Sequence, residues 1–122
     1  MNIFLWILQA LLGLAFVAAG YNHGFNIEKA KTQMGWMNAL PNNLLVFIGV
    51  SEILGGIGLI LPAAIGILPA LTAWAAVGLS TVMVLAVLFH ATRQEYQSIV
   101  VNLVLLALSA FVVYGRFVLV PF

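Results

Sequence analysis

Four apolar runs of membrane-crossing length dominate this chain and leave it one solvent in which to fold. They cover about residues 3–21, 44–61, 69–89 and 98–120, each near the ~20 apolar residues that cross a bilayer. Hydrocarbon offers no partner for free backbone N–H and C=O groups, so each run must satisfy its own, as a helix rather than a strand. The chain is 6% charged, far below the roughly 25–35% of a soluble domain's surface. The expected fold is therefore all-α: an integral membrane four-helix bundle, with residues 1–122 as a single domain.

The three connections differ in character. Pro62 to Ile67 reads as a tight apolar turn that ends the second run, and Ala91 to Gln97 as a short polar one. Asn22 to Asn43 is long enough to hold structure. Within it Ile27, Ala30, Met34, Met37 and Leu40 recur at steps of three or four, with Glu28, Lys29, Lys31 and Gln33 between them. That period predicts a short amphipathic helix in the membrane interface, capped by Asn26, stopped by Pro41 and anchored by Trp36. Trp6 and Phe122 fit the same aromatic belts, whereas Trp74 is expected to pack inside the third span. No Lys or Arg follows Met1, so the first run reads as a retained span rather than a cleaved signal. Lys29, Lys31 and Arg93 share one side, which predicts cytoplasmic connections there and both termini outside.

Within the spans, the polar residues fall on helical stripes. Gln9, Gly13, Phe16, Gly20 and His23 share one face of the first span. Gly49, Glu52 and Gly56, flanked by Gly55 and extended by Leu45 and Leu59, share one face of the second. Thr72, Leu79, Met83, Ala86 and His90 mark the third, and Ser98, Asn102, Ser109 and Arg116 the fourth. Small residues let helix backbones approach in lipid, so Gly13, Gly20, Gly49, Gly55 and Gly56 are expected packing positions. Glu52, on such a face, points into the bundle.

Glu52 is the only acidic residue inside the spans. A carboxylate at mid-bilayer costs at least ~2.5 kcal/mol on insertion scales, which makes it a candidate site. Two readings stand: a protonated structural carboxyl bonded to Asn102 or Gln9, or a group that binds a ligand or a proton. At ~1.5 Å of rise per residue, His23 and His90 belong at one rim with Asn102 a turn below, and Glu52 about 12 Å deeper. Gln9, Thr72 and Arg116 belong near the opposite rim, so a discontinuous polar track along the axis is expected. Arg116 should reach the headgroups by snorkelling.

Other chemistry finds little support. With no cysteine in the chain, two histidines lacking nearby carboxylates make a poor set for metal or haem, and neither is expected. The Gly49-to-Gly58 cluster has no Lys in phosphate-loop spacing. Ser51, Ser80, Ser98 and Ser109 show no nucleophile elbow. There is no basic patch for nucleic acid.

Leu12-Gly13-Leu14-Ala15-Phe16 with Gly20, and Gly49-Val50-Ser51-Glu52-Ile53-Leu54-Gly55-Gly56 with Gly58-Leu59, resemble the DoxX-like family of small four-span membrane proteins. Met83, Ala86 and the His90 region continue the resemblance from Leu11 to about Leu108. Relatives typically carry Lys just after the first-span glycine, where this chain has Tyr21-Asn22-His23. The resemblance implies a four-helix bundle in a bacterial cytoplasmic membrane and, for some relatives, a membrane subunit of quinone-linked redox chemistry. The expected function is binding of a small hydrophobic ligand, a quinone or a lipid, among Glu52, Asn102, His23, His90 and Gln9. No catalytic motif marks an enzyme, so electrons would come from a partner redox subunit. The competing readings are a proton-coupled transporter like the small multidrug resistance proteins, and a structural or assembly subunit. Membrane lipids and a second copy of the chain are further expected partners.

Overall fold

A computed structural model describes residues 1–122 and is all-helical. The elements are α1 (Asn2–Phe25), α2 (Ile27–Gln33), a 3-10 turn (Gly35–Ala39), α3 (Asn42–Gly58), α4 (Leu61–Ile65), α5 (Ala70–Thr92) and α6 (Tyr96–Tyr114). A π turn over Gly115–Leu119 extends the last helix. Four segments are long and apolar enough to cross a membrane: Asn2–Phe25, Asn42–Ile65, Ala70–Thr92 and Tyr96–Leu119.

The spans depart from the sequence boundaries for local reasons. Pro62 does not end the second span. A proline suits the first turn of a helix, where its missing N–H is already unneeded. The chain therefore breaks at Leu59–Ile60, and Pro62 starts α4, which stops at Gly66 with φ 72 in the left-handed region. The long connection holds two short helical pieces rather than one helix. Asn26 makes no side-chain cap; its amide donates to Asn22 Oδ1 at 3.3 Å instead. Met34, at φ −123 and ψ 88, separates α2 from the 3-10 turn. Buried Ala30, Met37 and Leu45 pack together and pin this connection against the start of α3.

Two antiparallel pairs, α1 with α3 and α5 with α6, make the bundle. Lipid gives little hydrophobic drive for helices to associate, so backbone-close packing matters. A Cβ on Gly20 would lie 2.5 Å from the Gly49 carbonyl oxygen, and one on Gly56 2.6 Å from the Gly13 oxygen. No larger residue fits that seam. Gly55 faces the other way: a Cβ there would meet Leu79 of α5 at 2.6 Å. Leu8, Leu12, Phe16, Leu59, Leu79 and Met83 belong to the central core. Trp74 is not part of it. It is 59% exposed on the lipid-facing side, edge-on to Phe117 at 5.3 Å.

The seam predicts unequal responses to added methyls. Gly49→Ala must push α1 and α3 apart and should destabilise by about 1–3 kcal/mol. Gly78 has nothing within 4 Å of its would-be Cβ, so Gly78→Ala should be neutral or slightly stabilising. Thermal unfolding of the two variants in detergent, against the parent, checks the contrast.

Candidate functional site

The glycine seam fixes what faces Glu52. With Gly20 over Gly49 and Gly13 over Gly56, Val17 lies level with Glu52 and His23 about 9 Å nearer the rim. Helical side chains lean toward their own N-terminus. Because α1 and α3 run in opposite directions, His23 leans down into the bundle and Glu52 leans up. Their side chains meet: His23 Nδ1 and Glu52 Oε1 share a hydrogen bond at 2.8 Å. Glu52 is only 3% exposed. Its partner is thus His23, not Asn102 or Gln9, and backbone depth alone overstated the gap between the two groups.

His90 lies at the same rim and also has a carboxylate partner. Its α5 helix ends in a Schellman turn, with Gln94 at φ 57. There the Gln94 amide bonds the Ala91 carbonyl at 3.2 Å and the Glu95 amide the His90 carbonyl at 3.0 Å. This turn folds Glu95 back over the helix end, where its Oε1 meets His90 Nδ1 at 2.9 Å and Arg93 Nε at 3.0 Å. The His90 hydrogen bond, aided by Arg93, holds the Glu95 carboxyl below its ordinary value against partial desolvation. Both histidines therefore have the nearby carboxylates that the sequence spacing did not reveal. No three of these groups converge as a metal-ligating set.

Trp36 stands between the histidines rather than merely marking the interface. Its ring lies edge-on to His23 at 5.1 Å and to His90 at 5.4 Å, with Phe89 at 6.2 Å. Below it opens a cavity of about 780 Å³ lined by residues of all four spans, among them His23, Glu52, His90 and Asn102. That volume lies in the range of small-molecule sites. Its shape follows from the packing. The two helix pairs meet below Glu52, where Gly55 abuts Leu79 and Gly58 abuts Ala75, and part above it. Met83 closes the floor. Phe47 and Val101 line the cavity although 68% and 53% exposed, so it also faces the lipid. Asn102 is half-buried, and its amide has no hydrogen-bond partner within the protein. The Ser51 hydroxyl donates to its own helix at Phe47 O, 2.8 Å away, and is already satisfied.

Gln9 lies elsewhere, so no polar track runs along the axis. Its Nε2 donates to the Leu59 carbonyl at 2.8 Å, at the break between α3 and α4, and its Oε1 accepts from Arg116 Nε at 2.6 Å. Arg116 does not snorkel; it is 3% exposed. The π turn brings it inward, where Nη1 donates to Asn2 Oδ1 at 2.8 Å and to the Val120 carbonyl at 3.1 Å. Trp6 and Phe122 flank its guanidinium at 5.6 and 4.1 Å. The apolar core of Leu8, Leu12, Phe16 and Leu79 separates this cluster from the cavity.

Two measurements probe these clusters. Gln9→Leu leaves the buried Arg116 Nε donor and the Leu59 carbonyl without their partner and should destabilise by about 1.5–3 kcal/mol. Adding Arg116→Met removes the unpartnered Nε donor, so the double variant should lose less than the two single losses summed. Denaturant unfolding of the four proteins closes the cycle. Because the folded-state pKa of Glu95 is lowered, its contribution to stability is full above pH 4.5 and is lost as pH falls through the lowered value. The melting-temperature gap between parent and Glu95→Gln should accordingly be wide near neutrality and close in acid.

A search of curated proteins and of solved structures returns no match to this chain. A family model described as the DoxX-like family matches residues 7–112, most of the chain, and the protein belongs to that family.

Proposed function

We propose that this membrane protein binds a small hydrophobic ligand, a quinone or a lipid, in the cavity between its two helix pairs, as a membrane subunit of a redox complex. The observation that carries this reading is the position of Glu52, whose buried carboxyl lies in the wall of a lipid-facing cavity with His23 behind it. Apolar side chains would hold the ligand's body, while Glu52 and Asn102 would meet its polar atoms. His23, His90 and Trp36 would form the mouth at the rim.

Reducing a quinone to a quinol adds two electrons and two protons. The chain has no cysteine and no cofactor motif, so the electrons would come from a reduced cofactor of a partner subunit. The Glu52–His23 pair suits the protons, because a carboxyl and an imidazole sharing a hydrogen bond can hold one and pass it to a carbonyl oxygen within reach. A cytoplasmic histidine rim with both termini outside is supported by Lys29, Lys31 and Arg93, which lie on that side.

Glu52→Gln keeps the shape and the hydrogen bond to His23 while removing the charge and the transferable proton. The variant should fold with a melting temperature near the parent's and bind a ubiquinone analogue in nanodiscs about tenfold or more weakly, as loss of the carboxyl O–H donor to the quinone carbonyl implies. Unchanged quinone and lipid affinity, with unchanged proton uptake on binding, would count decisively against the site.

A further inference from the structure

Charge is unevenly placed around the cavity. The chain has three acidic and four basic residues. Glu52 and Glu95 line the cavity, and no Lys or Arg does. Glu95 already has a cation, since Arg93 reaches it from outside the wall at 3.0 Å. Glu52 has none. Oε1 is engaged by His23, and no donor in the protein reaches Oε2. Around it, α1 brings His23, α5 brings His90, the α5–α6 turn brings the Glu95–Arg93 pair, and α6 brings only the neutral Gln97, Ser98 and Asn102.

In its ionised form a carboxylate oxygen without a donor accepts an N–H or O–H, whereas the same carboxyl when protonated donates to a carbonyl oxygen. An ammonium supplies several donors together with a permanent positive charge, and charge-assisted bonds are the stronger kind. The wall favours the same ligand a second way, because Trp36, Phe47 and Phe89 bring three aromatic rings to this cavity. Aromatic π clouds attract cations, most strongly where water is excluded. An anionic head would meet two carboxylates and no lysine or arginine.

We infer that the cavity selects a lipophilic ammonium: an amphiphile with an N–H-bearing cationic head seated on Glu52 Oε2 and an apolar tail reaching the lipid past Phe47 and Val101. This rests on the cavity being a ligand site and narrows its ligand by charge. The size of the cavity and the exposure of those two residues suit a chain that stays partly in the bilayer.

The full-length protein in nanodiscs, with empty nanodiscs subtracting plain partitioning, is titrated at neutral pH with decylammonium, decanol and decanoate. Saturable binding of decylammonium should be about tenfold or more tighter than that of decanol, with decanoate weakest. In Glu52→Gln the advantage of ammonium over alcohol should shrink to about twofold or less. The wild-type series decides on its own if that variant fails to fold. Equal or tighter binding of decanol or decanoate overturns the charge selection while leaving the cavity a ligand site. Saturable binding of a quinone analogue without binding of decylammonium does the same. If neither quinone, lipid nor any of the three probes binds saturably, the ligand site itself falls.

Discussion

Everything at the histidine rim depends on the backbone contact between α1 and α3. Gly20 and Gly49, and Gly13 and Gly56, approach so closely that a Cβ on either member of a pair would fall 2.5–2.8 Å from the other's carbonyl oxygen. In lipid this closeness is itself the attraction, because dispersion and weak backbone contacts replace the hydrophobic drive. It also fixes the register. One helical turn of slip would carry His23 about 5 Å along the axis, out of reach of Glu52. The seam thus converts two isolated polar residues into one hydrogen-bonded pair.

The cavity comes from the packing that this seam does not provide. Helices α3 and α5 touch through Gly55 and Gly58, both below Glu52, where the absence of a side chain lets Leu79 and Ala75 approach the α3 backbone. Above, Phe47 and Ile48 on α3 and Ala86 and Phe89 on α5 line a widening gap. The connection between α1 and α3 roofs it, held down by Met37 and Leu45. Such a wedge places the widest opening where the polar groups are.

Periodicity was a good guide to faces and a poor one to reach. Leu45, Gly49, Glu52, Gly56 and Leu59 share a stripe in the sequence, and all five are buried. Likewise Gln9, Gly13, Phe16 and Gly20 turn inward. The stripe says which side a residue occupies but not how far its side chain extends, so it points Glu52 to Asn102 or Gln9 rather than to His23. Arg116 was misjudged for a related reason: an arginine near a helix end usually has water within reach, but here a π turn rotates it onto Gln9 and Asn2. Glu95 escaped notice because its role depends on Gln94 taking a left-handed conformation that glutamine rarely adopts. A Pro after four small or apolar residues looked like a stop, yet proline is at home in a first turn.

The separation of the two polar clusters bears on what the cavity can do. Glu52 and Arg116 are the buried charged residues of the chain, and Leu8, Leu12, Phe16, Leu79 and Met83 fill the space between their clusters. A proton or a polar ligand crossing that layer would lose every hydrogen bond, at several kcal/mol for each unsatisfied group. The Gly55–Leu79 contact closes the same level from the side. In this conformation the cavity is therefore a blind one, open to a single rim and to the lipid. A ligand there would enter and leave on the same side, which suits binding and local proton exchange rather than export. Export across the membrane would require α3 and α5 to part at Gly55 and Gly58, the small residues that hold them together.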